Sequence, residues 1–429
     1  MDMDQPKRYK VLLSAYACEP DKGSEPEVGW QWAMHLAKHC DVTVLTRSNN
    51  KEAIEQHLTG NAEEMPKFVY MDLSPFARKA KHWLKPGFLA MAWYYSAWQD
   101  KAYWAIKEML RENDYDLVHH LTFASFRLPF GVTGHGLPSI IGPVGGCEEF
   151  PEHLMPDRGL RVKLSESFRN ILTRISTGLG AGMAKYHYAS RVIASTPEME
   201  QVFRDHGIDS LVMPQIGIAE SALTREAHKQ VTSGEIKLLF VGGVLCWKGL
   251  ELAIQTLALL PETVSLTIIG SGPDEALLKK EVRMLNLTGR VHFLGRKPHE
   301  EVLSLYRDYD VFLYPSLHDS GSFTVLEAMA AGLPVICLDR GGPSMSVTSE
   351  CGVVVGAQSR EQTIEGLRDA VLHYMMEPDR IAVHGANARQ RLSDHYEWQE
   401  KARKMLAVYD DVLCTSPPFL QGGHKSSRS

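Results

Sequence analysis

Short apolar runs alternate with longer stretches of helical periodicity along the whole chain. In the first half the runs are Val11–Ala15, Val42–Thr46, Phe68–Met71, Leu117–His120, Ile140–Gly142 and Val192–Ser195. Runs apolar throughout, rather than alternating, are what strands covered by helices on both faces require, so the rhythm predicts a parallel sheet. The second half repeats it with Lys237–Gly242, Ser265–Gly270, Val291–Gly295, Val311–Pro315, Pro334–Leu338 and Val353–Val355. Each half therefore reads as a doubly wound α/β unit. Between them Ala219–Gly234 is polar, mixed in charge and poor in large apolar residues, which suits a linker. The reading is a first domain over 1–215 and a second over 216–395. Three helical patterns follow the last strand; the third is assigned to 396–415, and the Pro-, Gly- and Ser-rich end, 416–429, reads as disordered.

Length changes this picture little. At 429 residues two domains of ordinary size are the natural expectation, and they leave a cleft between them. A net charge of −6 offers no overall attraction to nucleic acid, and 44% hydrophobic with 23% charged residues is ordinary for a globular protein. The seven cysteines form no C-x-x-C pair, which argues against a disulfide framework or a zinc site. The opening MDMDQPKRYK runs straight into a short strand, without the long uncharged stretch of a signal peptide or membrane span, so cytoplasmic residence is expected.

The most informative stretch is Pro315–Pro334, PSLHDSGSFTVLEAMAAGLP, where a strand ends in a Gly/Ser-rich turn and passes into a helix. Unpaired N–H groups at such a helix start hold phosphate oxygens, each favourable placement contributing roughly 0.3–1 kcal/mol. Two carboxylates, Asp319 and Glu327, bracket the turn. Here the sequence resembles the retaining glycosyltransferases of family four. Their signature is a pair of acids separated by seven residues and an A-M-A-x-G-x-P run, matched by Asp319, Glu327, Ala328, Met329, Ala330, Gly332 and Pro334.

The resemblance implies the GT-B architecture, two Rossmann-like domains facing across a cleft, with the C-terminal helix packing back toward the N-terminal domain. It implies that Glu327 binds ribose hydroxyls and Asp319 donor-sugar hydroxyls, and that Gly321, Ser322, Phe323, Thr324 and Val325 line the donor. The family usually has Glu where Asp319 stands, so the reach is one methylene shorter. In FVGGVLCWKGL, Phe240–Leu250, the resemblance gives Lys248 the role of a point charge on the diphosphate; the plain alternative is an exposed lysine at a helix start. Gly243 of the donor loop occupies the position of a second phosphate-binding Arg, and Arg296 and Arg340, which follow predicted strand ends, are the sequence candidates to replace its charge. The Gly-x-Gly of IIGSGPD, Ile268–Asp274, fails as a dinucleotide fingerprint because Glu275 stands at the third glycine position.

In the first half, CEPDKGSEPEVGW places Gly23, Ser24 and Glu25 between the first strand and first helix, a loop that in the resembled family touches donor phosphate and acceptor. Ser24 reads equally as a helix cap. The strand DLVHHLT delivers His119 and His120 to its C-terminal end, where ligands bind in open α/β sheets. Alternation sends them to opposite faces; the resemblance implies that one of them approaches the donor sugar, His120 being slightly favoured, with a purely structural role for both as the alternative. Glu148 and Glu149, in the Gly-rich strand exit IGPVGGCEE, are acceptor-side candidates or a solvated acidic turn. In Phe76–Trp104, Arg78, Lys79, Lys81 and Lys85 join a dense set of aromatics, a composition suited to an interfacial surface or, equally, to aromatic helices packed under the domain.

The expected reaction is transfer of a hexose-type unit from a nucleoside diphosphate sugar to a hydroxyl of a glycan or lipid-linked acceptor, with retention of anomeric configuration. It needs no cofactor or metal, and includes peripheral contact with the cytoplasmic membrane surface. A nicotinamide-dependent oxidoreductase and a non-catalytic sugar- or nucleotide-binding partner are the rival readings. Cofactor absorbance distinguishes the first and donor turnover the second.

Overall fold

The computed structural model describes residues 8–58, 64–77, 88–154, 160–178, 180, 182–223 and 234–415. Arg78, Lys79, Lys81, Lys85, most of the predicted linker and the tail 416–429 lie outside these residues. Two parallel sheets organise the chain. The first holds β1 (Lys10–Ser14), β2 (Asp41–Arg47), β3 (Lys67–Met71), β4 (Leu117–His120), β5 (Ser139–Val144), β6 (Arg191–Ala194) and β7 (Ser210–Val212) in the order β3-β2-β1-β4-β5-β6-β7. The second holds β8 (Ile236–Val241), β9 (Val264–Ile269), β10 (Val291–Gly295), β11 (Val311–Tyr314), β12 (Val335–Leu338) and β13 (Gly352–Val355) in the order β10-β9-β8-β11-β12-β13. Every predicted strand is present; β7, a short edge strand, was not predicted.

The helices of the first domain are α1 (Ser24–Ala37), α2 (Lys51–His57), α3 (Phe88–Glu112), α4 (Leu160–Gly178) and α5 (Pro197–Asp205). Those of the second are α6 (Glu220–Leu223), α7 (Leu250–Ala258), α8 (Glu275–Met284), α9 (His299–Leu305), α10 (Phe323–Ala330), α11 (Gly341–Ser346), α12 (Arg360–Met376), α13 (Asp379–His395) and α14 (Trp398–Thr415). Strand order reverses between β1 and β4 in one sheet and between β8 and β11 in the other, which opens a crevice outside the strand C-termini in each.

Burial follows from the covering layers. Along β1, Val11 and Leu13 join one core and Leu12 the other. The first of these cores continues through α14 into the second domain, whereas α3 closes the other face. The helix α14 packs on the N-terminal domain: Trp398 meets Trp32 edge-on at 5.5 Å, and Asp410 and Asp411 accept from Tyr9 and Arg191. None of the seven cysteines forms a disulfide. Among the described residues no helix is long and apolar enough to cross a membrane.

Candidate active site

The loops leaving β8 and β11 meet at the crevice of the second sheet. A 3₁₀ turn, Cys246–Lys248, carries Lys248 over the Tyr314 ring, 5.2 Å from its centre. Its Nζ donates to Tyr314 Oη at 2.6 Å and to Asp319 Oδ2 and Oδ1 at 2.7 and 3.0 Å. Asp319 Oδ2 also accepts from Ser316 Oγ at 2.6 Å and Tyr314 Oη at 3.0 Å. With three donors Oδ2 is saturated, while Oδ1, holding one, keeps a lone pair open. Burial alone pushes the Lys248 ammonium down, but the Tyr314 oxygen and the Asp319 carboxylate outweigh it and hold the group well above its ordinary value. Burial and the same carboxylate push Tyr314 up to about 12. Lys248 is therefore a paired cation, its side chain 15% exposed, rather than an exposed lysine at a helix start.

The turn Pro315–Ser322 leads into α10. By helix geometry the N–H groups of Phe323 and Thr324 have no intrahelical partner. Ser322 Oγ bonds Thr324 Oγ1 at 3.0 Å and caps neither group. Gly321 lies against Ile216, and an added Cβ would stand 3.3 Å from its side chain. Val325 departs from its expected role: its side chain is fully buried in the core, and its N–H is taken by the Ser322 carbonyl at 3.2 Å. One turn on, Glu327 accepts from Tyr306 Oη at 3.0 Å and pairs with His299 Nε2 at 3.0 Å, one donor on each oxygen. A cavity of about 270 Å³ opens beside it, lined by Ala222, Leu303, Tyr306, Arg307, Glu327 and Ala331. Behind the loops leaving β8 and β11, Gly270 has φ +137° and its missing Cβ would lie 1.9 Å from the Gly242 carbonyl oxygen, so only glycine lets the β8 and β9 exits close on each other.

From the first domain, the loop after β5 reaches this turn. Glu148 accepts from Ser320 Oγ at 2.9 Å across the cleft, and from Gly146 N–H and Thr196 Oγ1 at 3.1 and 3.3 Å. Burial raises its pKa from the ordinary carboxylate value, against hydrogen bonds that lower it. It is no solvated turn. Glu149 binds Arg174 through both oxygens, and its carbonyl accepts from Arg340 at 2.9 Å. Arg340 also donates to the Leu317 carbonyl at 3.1 Å, so its guanidinium clasps the two domains instead of standing open for phosphate. Arg296 is exposed beyond β10, and Gly243 lies at the β8 exit.

The remaining candidates sort by face. His119 is buried between the Tyr409 hydroxyl at 2.8 Å and the Gly142 carbonyl at 2.9 Å, on the α14 side. It bridges structure and does not reach the cleft. His120 lies on the other face with Nε2 3.2 Å from Tyr95 Oη and Nδ1 without a partner among the described residues. Burial, then His119 and Lys185, lower its pKa to about 3, so the ring is neutral. Gly23, at φ +66°, is the N-cap of α1, so Ser24 is not the cap. Glu25 accepts from Gln215 Nε2 at 2.8 Å and Phe123 N–H at 3.3 Å, and burial raises its pKa.

Several partners were not read from the sequence: Tyr314, Ser316, Tyr306, His299, and Glu198, whose Oε1 accepts from Gly341 N–H at 2.9 Å across the domains. Ser316, three residues before Asp319 in the same turn, was the one with a local signal. Among the described residues no group of three or more His, Cys, Asp or Glu side chains is placed to hold a metal ion.

Residues 224–390 match the family model of glycosyl transferases group 1. Over 186 residues the chain is 30% identical to glycogen synthase of Mycobacterium tuberculosis, covering 43% of this chain and 44% of that protein. Over 183 residues it is 31% identical to the lipopolysaccharide core biosynthesis mannosyltransferase LpsB of Rhizobium meliloti, covering 40% and 50%. The matched region thus spans half the length of these curated relatives or less. Sucrose-phosphate synthase from Thermosynechococcus elongatus shares the fold with a TM-score of 0.63 at 18% identity, over 95% of this chain and 100% of that one. HepE of Anabaena, solved in complex with UDP, superposes with a TM-score of 0.57 at 15% identity, over 94% and 100%. Residues 224–390 thus resemble glycosyl transferases group 1, and the fold of the chain is a GT-B architecture of two Rossmann-like domains.

Proposed function

We propose that the protein transfers a hexose-type sugar from a nucleoside diphosphate sugar to a hydroxyl of a glycan or lipid-linked acceptor, with retention, at the cytoplasmic face of a membrane. The observation that carries this is the convergence of Lys248, Asp319 and the first turn of α10 at the switch point of the second sheet. That UDP and UDP-glucose occupy HepE, a structure of the same fold, supports a nucleotide sugar as the donor.

In this reading the diphosphate lies at the α10 N-terminus, where the free N–H groups and Lys248 stabilise the charge that develops on the leaving group. Preorganised donors do this without a metal or cofactor. Asp319 Oδ1 offers its open lone pair to a sugar hydroxyl, and Glu327, with one donor on each oxygen, keeps acceptor capacity for the ribose. His120 Nδ1, buried without a partner, is satisfied by the donor sugar. Glu148 and Ser320 close the cleft over the reacting centre and exclude water, which would otherwise hydrolyse the donor.

The test is thermal stabilisation by UDP, GDP, ADP and dTDP in the wild type and Glu327→Ala. Saturation at 100 times the dissociation constant adds roughly 2.7 kcal/mol. A shift from one nucleotide that is lost in the variant supports the site, and anomeric analysis of the product then reads retention. No shift by any of the four at millimolar concentration removes the proposal's main support.

A further inference from the structure

The helix α4 is amphipathic the wrong way round for a helix on a globular domain. Its inward face is polar: Glu166, Asn170 and Thr173 are buried. Asn170 bonds both the N–H and the carbonyl of Phe150, at 3.0 and 2.7 Å, and Arg127 donates to Thr173. Its outward face carries Phe168, Ile171, Leu172 and Ile175, exposed by 61, 50, 40 and 48% at the i, i+3, i+4, i+7 spacing of one helical stripe. An apolar stripe held in water while the polar stripe is buried marks a surface with a partner.

Charge selects the partner. The helix sequence carries Arg161, Lys163, Arg169 and Arg174 against one acid, Glu166, which is buried and paired with Arg169. In sequence the helix thus carries four positive charges to one negative, in a chain whose net charge is −6. A second copy meeting this face through its own α4 would bring like charges together. A bilayer with anionic headgroups supplies both an apolar phase and opposite charge. We infer that α4 docks the protein onto an anionic lipid surface, with Phe168, Ile171, Leu172 and Ile175 entering the interface. Its connections give the docking a purpose. Through Asn170–Phe150 and Arg174–Glu149 the helix holds the loop whose Glu148 reaches Ser320 of the donor turn, so a bound membrane brings a lipid-linked hydroxyl to the acceptor side. This purpose rests on the proposed transfer reaction; the docking itself does not.

The experiment is flotation of the full chain with phosphatidylcholine vesicles with and without phosphatidylglycerol, for the wild type and for Phe168→Ser, Ile171→Ser, Leu172→Ser and Ile175→Ser combined. Wild type is expected to float with the anionic vesicles in a salt-sensitive way. The combined variant, melting as wild type does, is expected to bind about tenfold or more weakly. If the combined variant fails to fold, Phe168→Ser with Ile175→Ser takes its place. Wild type that ignores anionic vesicles, or a folded variant that binds them as well as wild type, overturns the inference. So does a vesicle-free dimer that the variant abolishes, because the face is then a protein interface. Nucleoside diphosphate stabilisation measured in parallel separates the two ideas. Retained stabilisation without vesicle binding sinks the docking alone; vesicle binding without stabilisation by any nucleotide sinks the transfer reaction alone.

Discussion

Replacing Asp319 by Asn should strengthen binding of a nucleoside diphosphate while weakening use of the sugar nucleotide. Lys248 stands 2.7 Å from Asp319 Oδ2, so in the free protein its charge is already answered. A diphosphate placed at the α10 N-terminus within reach of Lys248 would lie on the order of 6 Å from that carboxylate, where two unit charges repel by about 3 kcal/mol at an effective dielectric constant of about 20. The two side chains are 15% and 16% exposed, and solvent reaching a phosphate screens further, so less than half of the repulsion survives. That leaves about 1–1.5 kcal/mol, or about tenfold in affinity. Asn keeps the volume but gives up the charge and half of the acceptor capacity offered to a sugar hydroxyl, so turnover should fall by about a hundredfold. Calorimetric titration with the nucleotide that stabilises the wild type reads the first effect, and the gain should shrink as salt is raised. Unchanged or weaker diphosphate binding in Asp319→Asn would refute the reasoning, since Lys248 would then not be the group that meets the phosphate.

Three further outcomes follow from Lys401, Glu148 and Gly270. Lys401 is fully buried against Trp32 and Trp398, and burial lowers its pKa to about 7. Because the unfolded chain holds that proton up to the ordinary lysine range, wild-type stability should rise relative to Lys401→Met by about 2 kcal/mol between pH 7 and 9, read as a widening gap in melting temperature; parallel curves would contradict the burial. Glu148 has a raised folded pKa, so its contribution to stability is present at low pH and lost as pH rises through that value; Glu148→Gln should melt above wild type at pH 8, with the gap closing toward pH 4. Gly270→Ala sets a Cβ 1.9 Å from a carbonyl oxygen at φ +137°, and should cost about 3 kcal/mol or more in denaturant and abolish nucleotide stabilisation; a variant that binds nucleotide normally would show that the β8 and β9 exits are free to part.

The strands were legible because a doubly covered parallel strand must be apolar throughout, as Leu238–Val241 and Val311–Tyr314 are. Ser210–Val212 escaped because an edge strand, intermediate in exposure at every residue, needs no such run. Asp319 and Glu327 were legible because their spacing brackets a helix start within one local segment. What the sequence did not show is that Asp319 and Lys248 face each other: 71 residues apart, they meet only once β8 and β11 lie side by side. The same holds for Glu198, whose partner N–H lies 143 residues away on the other domain. In both cases the residue type was visible and its partner was a product of topology. His119 and His120 show the opposite case, where alternation foretold two faces but only the position of Tyr409 reveals that His119 is braced by the C-terminal helix.

The two ends of the cleft are built from different chemistry, and that difference says which end can adjust. At the crossings between domains the backbone of Ile218 pairs with Tyr396 and Trp398, Trp32 packs edge-on against Trp398, and a Cβ on Gly217 would stand 2.8 Å from Trp398. Close-packed interiors of this kind do not deform gradually. At the mouth the contacts are polar: Ser320 to Glu148, Gly341 N–H to Glu198, Arg340 to the Glu149 carbonyl. Each exchanges for water at a net cost of about 0.5–3 kcal/mol, the upper part of that range belonging to the charged groups. Opening therefore begins at the mouth and turns about the crossings, and the Ser320 that lets go of Glu148 is the neighbour of Asp319. If the proposed transfer reaction holds, entry of the nucleotide sugar and release of the loop after β5 are one event.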